Sequence, residues 1–154
     1  MPEENKPNNP AHLPLFRKGK EIYELTNKII ELIPEDDEAQ GCLKQFMLQD
    51  AAMLSVKVAG AEAADVYDLR MENAAIIRKA ARDLLAHCSR LELFGFEDSQ
   101  YLHLIREEVE AYRLLFIKWV KGFDQWNYVE DSWGLFNPPG IYPGLADKDL
   151  PDEE

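Results

Sequence analysis

Apolar side chains recur every three or four residues along four long stretches of this chain, and that spacing places them on one face of an α-helix. The stretches are residues 15–33, 38–65, 71–96 and 100–123. Leu32 belongs to the stripe of residues 15–33 and Phe46 to that of residues 38–65, and both are expected in the core. In residues 71–96 the stripe consists of Ala74, Ile77, Ala81, Leu84, Cys88 and Leu91. Four amphipathic helices with short links predict an all-α protein, an up-down antiparallel four-helix bundle.

The ends of these stretches are marked by residues that stop helices. Pro34 closes the first, because the residue before a proline is pushed out of the helical region. Gly95 suits the left-handed position after the third helix, and Asp98 or Ser99 is a candidate cap for the fourth. The second and third stretches have no strong breaker between them. We place a break at residues 67–70, because a single rod of about 50 residues is rare in globular proteins.

The two ends of the chain differ in composition from the helical part. Residues 1–14 hold four prolines and three asparagines, which predicts a flexible arm before the bundle domain of residues 15–123. Residues 124–154 form a C-terminal extension, rich in proline and glycine, whose last residues are acidic and expected to be mobile. Its aromatics Trp126, Trp133 and Phe136 are the predicted interaction residues. They either dock on the bundle or a neighbouring subunit, or form a short motif for another protein.

The charge of the chain weighs against nucleic acid as a partner. The sequence has 29 acidic and 17 basic residues and a net charge of -12, whereas binding to phosphates depends on lysine and arginine. It has no apolar run long enough to span a bilayer and no signal-like start, so we expect a cytoplasmic protein. Cys42 and Cys88 lie on apolar helical faces and are expected to be free core cysteines.

Only one spacing in the chain is typical of catalysis. Arg82 and His87 lie five residues apart, and this Arg-x4-His pattern resembles the active site of HEPN-domain ribonucleases, which implies acid–base chemistry by His87 and phosphate binding by Arg82. The alternative is an Asp83–His87 pair one helical turn apart beside a solvated Arg82. Patterns for a metal, a nucleotide or another cofactor are absent from the sequence, so we expect none.

Two further features of the second stretch suggest either packing or a polar seam. The small residues around Gly60 predict close approach of another helix, because glycine in a helix otherwise costs about 1 kcal/mol relative to alanine. Asp50, Glu62 and Asp65 could form a polar seam with Lys57. We favour the interpretation that they face solvent.

Residues 15–123 as a whole resemble the family of 23S rRNA intervening-sequence proteins and the related accessory proteins of diversity-generating retroelements. The matching pieces are KGKEIYELTNKI before Pro34, LKQFMLQDAAMLSVKVAGAEA, and the end of the third helix at residues 94–96. The resemblance implies a cytoplasmic bacterial protein with an up-down bundle, often a ring-shaped homopentamer, and it does not imply an enzyme. The retroelement accessory proteins typically have paired arginines in the second helix. This chain has Leu48-Gln49-Asp50 there instead, so nucleic-acid binding is not expected.

These observations favour a non-enzymatic interaction or scaffold protein that forms a homo-oligomer with an unidentified protein partner. The first alternative is a HEPN-like ribonuclease that uses Arg82 and His87. The second is a nucleic-acid-binding accessory protein.

Overall fold

The computed structural model describes residues 9–130, which fold into four α-helices preceded or joined by short turns. The helices are α1 (Pro14–Ile30), α2 (Glu38–Ala64), α3 (Tyr67–Leu93) and α4 (Leu102–Lys121). Two 3-10 turns, Pro10–His12 and Ser99–Tyr101, precede α1 and α4. The predicted all-α four-helix bundle is confirmed. No helix within this part of the chain is long and apolar enough to cross a membrane.

The four helices do not contact one another equally. The contact of α2 with α3 is the most extensive, that of α1 with α2 comes next, and α3 and α4 make the fewest contacts of the neighbouring pairs. The core is apolar and draws on every helix. Its most deeply buried large side chains include Ile22, Met47, Leu54, Ile77, Leu84, Leu91, Leu102, Ile105 and Tyr112.

The contact between α1 and α2 is close because it has a glycine at its centre. A Cβ atom on Gly19 would lie 2.5 Å from the carbonyl oxygen of Leu54 in α2, so no larger residue fits without a shift of the helices. The same carbonyl accepts a hydrogen bond of 2.7 Å from the hydroxyl of Tyr112 in α4. Helices α1 and α4 therefore both meet α2 at the same turn.

The break between the second and third helices lies at Asp65 and Val66, two residues before the predicted position. Asp65 adopts the left-handed conformation with φ 49°, and Val66 is extended. Aspartate tolerates this conformation better than most residues because its short polar side chain bonds locally. Here the Asp65 carboxylate accepts a bond of 2.9 Å from Arg70. Two residues thus reverse the chain without glycine or proline.

The end of α3 confirms the prediction for Gly95. Its φ is +80°, its N–H bonds to the carbonyl of Glu92, and the N–H of Phe96 bonds to that of Leu91. This pair of bonds is the Schellman motif. Phe96 and Leu91 are both buried in the same cluster, so the motif returns the chain to the core.

Several single positions differ from the prediction. Leu32 is 45% exposed, because α1 ends at Ile30 and the following turn presents Ile33 to the core instead. Cys42 is exposed and only Cys88 is buried, where burial raises the pKa of its thiol to about 11. Gly60 is exposed, and a Cβ there would lie 3.3 Å from the Asn73 side chain of α3, so another helix does approach it. The closest contact with a backbone occurs instead at Gly19.

The residues that flank the bundle are partly ordered against it. Residues 9–13, assigned to the flexible arm from their composition, form a 3-10 turn capped by the side chain of Asn9. Leu13 then packs against the core. Asp98 begins the turn before α4, although its side chain makes no capping bond. The helix itself begins at Leu102, two residues later than predicted.

Candidate functional site

The residues of the ribonuclease hypothesis all lie on α3 but point in different directions. Arg82 faces α4, whereas His87 faces α2, where its Nδ1 lies 2.9 Å from Oδ2 of Asp50. Five residues along an α-helix correspond to a rotation of about 140°. Asp83 bonds to Lys79 at 2.5 Å, so the alternative expectation of an Asp83–His87 pair is wrong. Within one chain, the described structure does not bring Arg82 and His87 together.

Asp50 and His87 form a partly buried pair between α2 and α3. Their side chains are 16% and 13% exposed, and the ring of Phe46 stacks on that of His87 with centroids 5.8 Å apart. Desolvation by burial raises the pKa of Asp50, and the bond to His87 opposes that effect without cancelling it. The interpretation that Asp50 faces solvent is therefore wrong. Phe46, expected in the core, covers this pair and is 53% exposed.

A second polar cluster ties three helices together near the α2–α3 turn. Nε1 of Trp119 in α4 donates a bond of 2.9 Å to Glu62 in α2, and Arg70 in α3 lies 3.7 Å from the same carboxylate. The Arg70 guanidinium also lies 5.3 Å from the centroid of the Phe123 ring. Glu62 is thus a structural partner rather than a solvent-facing residue. No group of three or more potential metal ligands occurs among residues 9–130.

The least packed seam of the bundle, between α3 and α4, contains an apolar groove. One cavity of about 540 Å³ extends toward Ser89 and Arg106. A second of about 310 Å³ continues toward Met71 and Lys121, and the two share Arg78 and two apolar residues. The apolar lining consists of Met71, Ala74, Ala75, Ile77, Ala81, Leu85, Val109, Tyr112, Phe116, Ile117 and Val120. The combined size suits a ligand or a segment of polypeptide.

The groove has a basic rim on an acidic protein. Arg78, Arg82, Arg106, Arg113 and Lys121 line it, and Glu110 is the acidic residue among the lining. Arg113 is neutralised by two bonds to Glu110 at 2.9 and 2.6 Å, and Arg106 by a bond of 2.7 Å to Glu92. Arg78 and Arg82 form no ion pair with any residue of the described range 9–130. Lys121 likewise forms no ion pair within that range, so three positive charges lie beside the apolar floor without an ion-pair partner among the described residues.

The chain leaves α4 near one end of this groove. The N–H of Tyr67 donates a bond of 2.8 Å to the carbonyl of Asn127, and Nδ2 of Asn127 bonds to the carbonyl of Asp65. Trp126, one of the three predicted interaction residues, is 74% exposed and does not dock on the bundle. Trp133 and Phe136 lie outside the described residues.

Sequence reasoning missed the groove because its elements are common. Arg78 and Arg82 are four residues apart on α3, and Arg113 lies on α4. By itself, this pattern predicts only that these helix faces are exposed to solvent. The available signal was that Ile117 and Val120 extend the apolar surface of α4 beyond its core stripe. Comparison of the chain with models of protein families, with curated proteins and with solved structures found no match.

Proposed function

We propose that this protein is a non-enzymatic interaction module that binds an acidic, amphipathic segment of a protein partner in the groove between α3 and α4. The observation that supports it is an apolar floor beside the guanidinium groups of Arg78 and Arg82, which form no ion pair within residues 9–130.

The apolar floor supplies the driving force for such binding. Exposed apolar surface in a continuous groove is typical of interaction sites, and burial of apolar area contributes roughly 25 cal/mol per Å². An amphipathic helix places its apolar residues into a groove of this kind at helical spacing. Phe116 and Ile117 lie where the two cavities meet, and we expect the central anchor of the partner to contact them.

The arginines determine which segments bind. A guanidinium group presents a planar pair of donors that matches a carboxylate, so Arg78 and Arg82 favour glutamate or aspartate beside the apolar anchors. The net charge of -12 opposes the approach of an acidic partner at long range. We therefore expect apolar contact to provide most of the affinity, and the arginines to provide selectivity.

The oligomeric and cellular context follows from the family resemblance described above. We propose a cytoplasmic homo-oligomer, with a pentamer as the size the resemblance implies. The support from the structure is the fold class, because that family also has the architecture of a four-helix bundle. Light scattering behind a sizing column measures the mass directly, and a monomer at micromolar concentration contradicts this part of the proposal.

Fluorescence anisotropy with a synthetic peptide tests the interaction. The probe is a labelled amphipathic helix with leucine and tryptophan on one face and glutamate on the other, and the matched probe has lysine at each glutamate position. We expect binding of the acidic peptide in the micromolar range, and Arg82→Glu to weaken it about 10-fold through loss of a charge-assisted contact. Arg17→Glu, at an exposed position on α1, makes the same charge change outside the groove and should have little effect.

Two results contradict the proposal. One is equal affinity for the acidic and the lysine peptides, which would show that the arginines do not select the partner. The other is the absence of binding of either peptide, both to the wild type and to a variant that combines Trp133→Ser with Phe136→Ser in the C-terminal extension.

A further inference from the structure

The chain beyond α4 is held beside the entrance of the groove. Asn127 is bonded to both Asp65 and Tyr67 at the turn between α2 and α3, and Met71, one helical turn further along α3, lines the near end of the groove. The residues that follow Asn127 therefore start within reach of the surface between α3 and α4.

The length of the following segment matches the length of the groove. An extended chain spans about 3.3 Å per residue, so Trp133 lies at most about 20 Å and Phe136 about 30 Å from Asn127. A helix rises 1.5 Å per residue, which places Arg78 about 16 Å and Ser89 about 33 Å from Tyr67. Both aromatic residues can thus reach the groove between its near end and its far end.

The composition of the segment matches the chemistry of the groove. Residues 131–142 read DSWGLFNPPGIY and contain five large apolar side chains. Their two prolines and two glycines disfavour a helix but allow an extended strand in a groove. Carboxylates precede and follow these apolar residues, at Glu130 and Asp131 and in residues 147–154. The rim of the groove carries two arginines that have no ion-pair partner among residues 9–130.

From this position, length and charge we infer that residues 131–142 of the same chain occupy the α3–α4 groove, with Trp133 and Phe136 against its apolar floor. Occupation by the chain itself makes the groove a regulated site. A partner must displace the segment, so its apparent affinity is reduced in proportion to the fraction of molecules whose groove is open. This regulatory consequence rests on the proposed function of the groove, whereas the docking itself does not.

Hydrogen exchange on the full chain, followed by mass spectrometry, tests the docking. We expect amides of residues 132–142 to exchange at least about 10-fold more slowly than in an unstructured peptide of the same sequence. Arg82→Glu should reduce that protection, and Arg17→Glu should preserve it. Exchange of the wild-type segment at the rate of the free peptide overturns the inference.

The concentration dependence of this protection identifies which chain supplies the segment. Protection that is unchanged on dilution supports docking within one chain. Protection that is lost on dilution shows that a second copy supplies the segment, and overturns docking within the chain.

Competition with the acidic peptide tests the regulatory consequence. Trp133→Ser combined with Phe136→Ser should increase the affinity of the full chain for the peptide by about 10-fold, because the segment no longer competes. Trp126→Ser is the matched control, since Trp126 is exposed in the described structure, and it should leave the affinity unchanged.

The outcomes separate the two ideas. If the peptide binds the wild type and the double variant equally, the inference of self-occupation is overturned while the proposed function stands. If the peptide binds neither the wild type nor the double variant, the proposed function is overturned. Hydrogen exchange then still decides whether residues 131–142 dock in the groove.

Discussion

The α1–α2 contact and the α3–α4 seam belong to the same bundle but are built in opposite ways. At the first, Gly19 lies against the backbone of Leu54, and the hydroxyl of Tyr112 reaches the same carbonyl. At the second, arginines and aromatic side chains line a groove, and the two helices make fewer direct contacts with each other. A small residue at the centre of the α1–α2 contact lets the backbones meet, whereas at the seam the aromatic side chains of α4 and the small residues of α3 leave an open groove between the helices.

This difference indicates that one side of the bundle provides stability and the other provides an accessible surface. Close packing on the α1–α2 side provides stability but leaves no room for a ligand. The seam contributes less to the core and presents its apolar surface at an opening. Substitutions on the two sides should therefore have different consequences, and three of them test the comparison in order of decreasing effect.

The largest effect is expected at the closest contact. Gly19→Ala places a Cβ 2.5 Å from a backbone oxygen, which forces α1 and α2 apart and should lower the free energy of unfolding by about 3 kcal/mol. Urea denaturation followed by circular dichroism measures the change. Gly41→Ala is the matched control, because a Cβ there meets no atom within 4 Å and should raise stability by about 0.5–1 kcal/mol. A loss below about 1 kcal/mol for Gly19→Ala would show that the helices separate easily.

The second effect is a gain of stability on the closely packed side. Thr26 in α1 is fully buried, and its hydroxyl has no hydrogen-bond partner among residues 9–130. Thr26→Val replaces the hydroxyl by a methyl group of similar size and should raise the free energy of unfolding by about 1 kcal/mol. Thr26→Ser keeps the hydroxyl and loses the methyl, so it should destabilise the protein. If valine destabilises as much as serine does, the hydroxyl has a partner in solution.

The smallest effect is expected in the seam. Ala81 lines the groove, so Ala81→Leu adds apolar surface where space exists and should change the free energy of unfolding by less than about 0.5 kcal/mol. Ala80, the neighbouring residue, is buried, and Ala80→Leu should cost about 1–3 kcal/mol by overpacking. Thermal denaturation of both variants makes the comparison. Equal losses would mean that the seam is closed in solution.

The sequence was most informative where local chemistry controls structure. The three- and four-residue spacing predicted four helices, and Gly95 predicted the end of α3, because only the left-handed conformation allows the Schellman bonds there. The turn at Asp65 was missed by two residues. It depends on a left-handed aspartate, a conformation that the sequence does not distinguish from ordinary helix.

The candidate site was less predictable, because it depends on which helix faces each side chain. Arg82 and His87 share a helix and were singled out together, yet Arg82 borders the groove and His87 pairs with Asp50. Similarly, Phe46 belongs to the apolar pattern of α2 but covers that pair at the surface. Periodicity gives the direction of a side chain around its own helix and does not identify the neighbour it meets.

By itself, the sequence determined the class of fold, the number of helices and most of the core, because hydrophobic periodicity and helix-stopping residues act locally. The tertiary structure decided the separation of the helices. Gly19 became important only when α2 was placed against it, and the arginines of α3 and α4 became a basic rim only when the two helices stood apart across a groove. These properties depend on distances between residues far apart in the chain, which the order of residues does not specify locally.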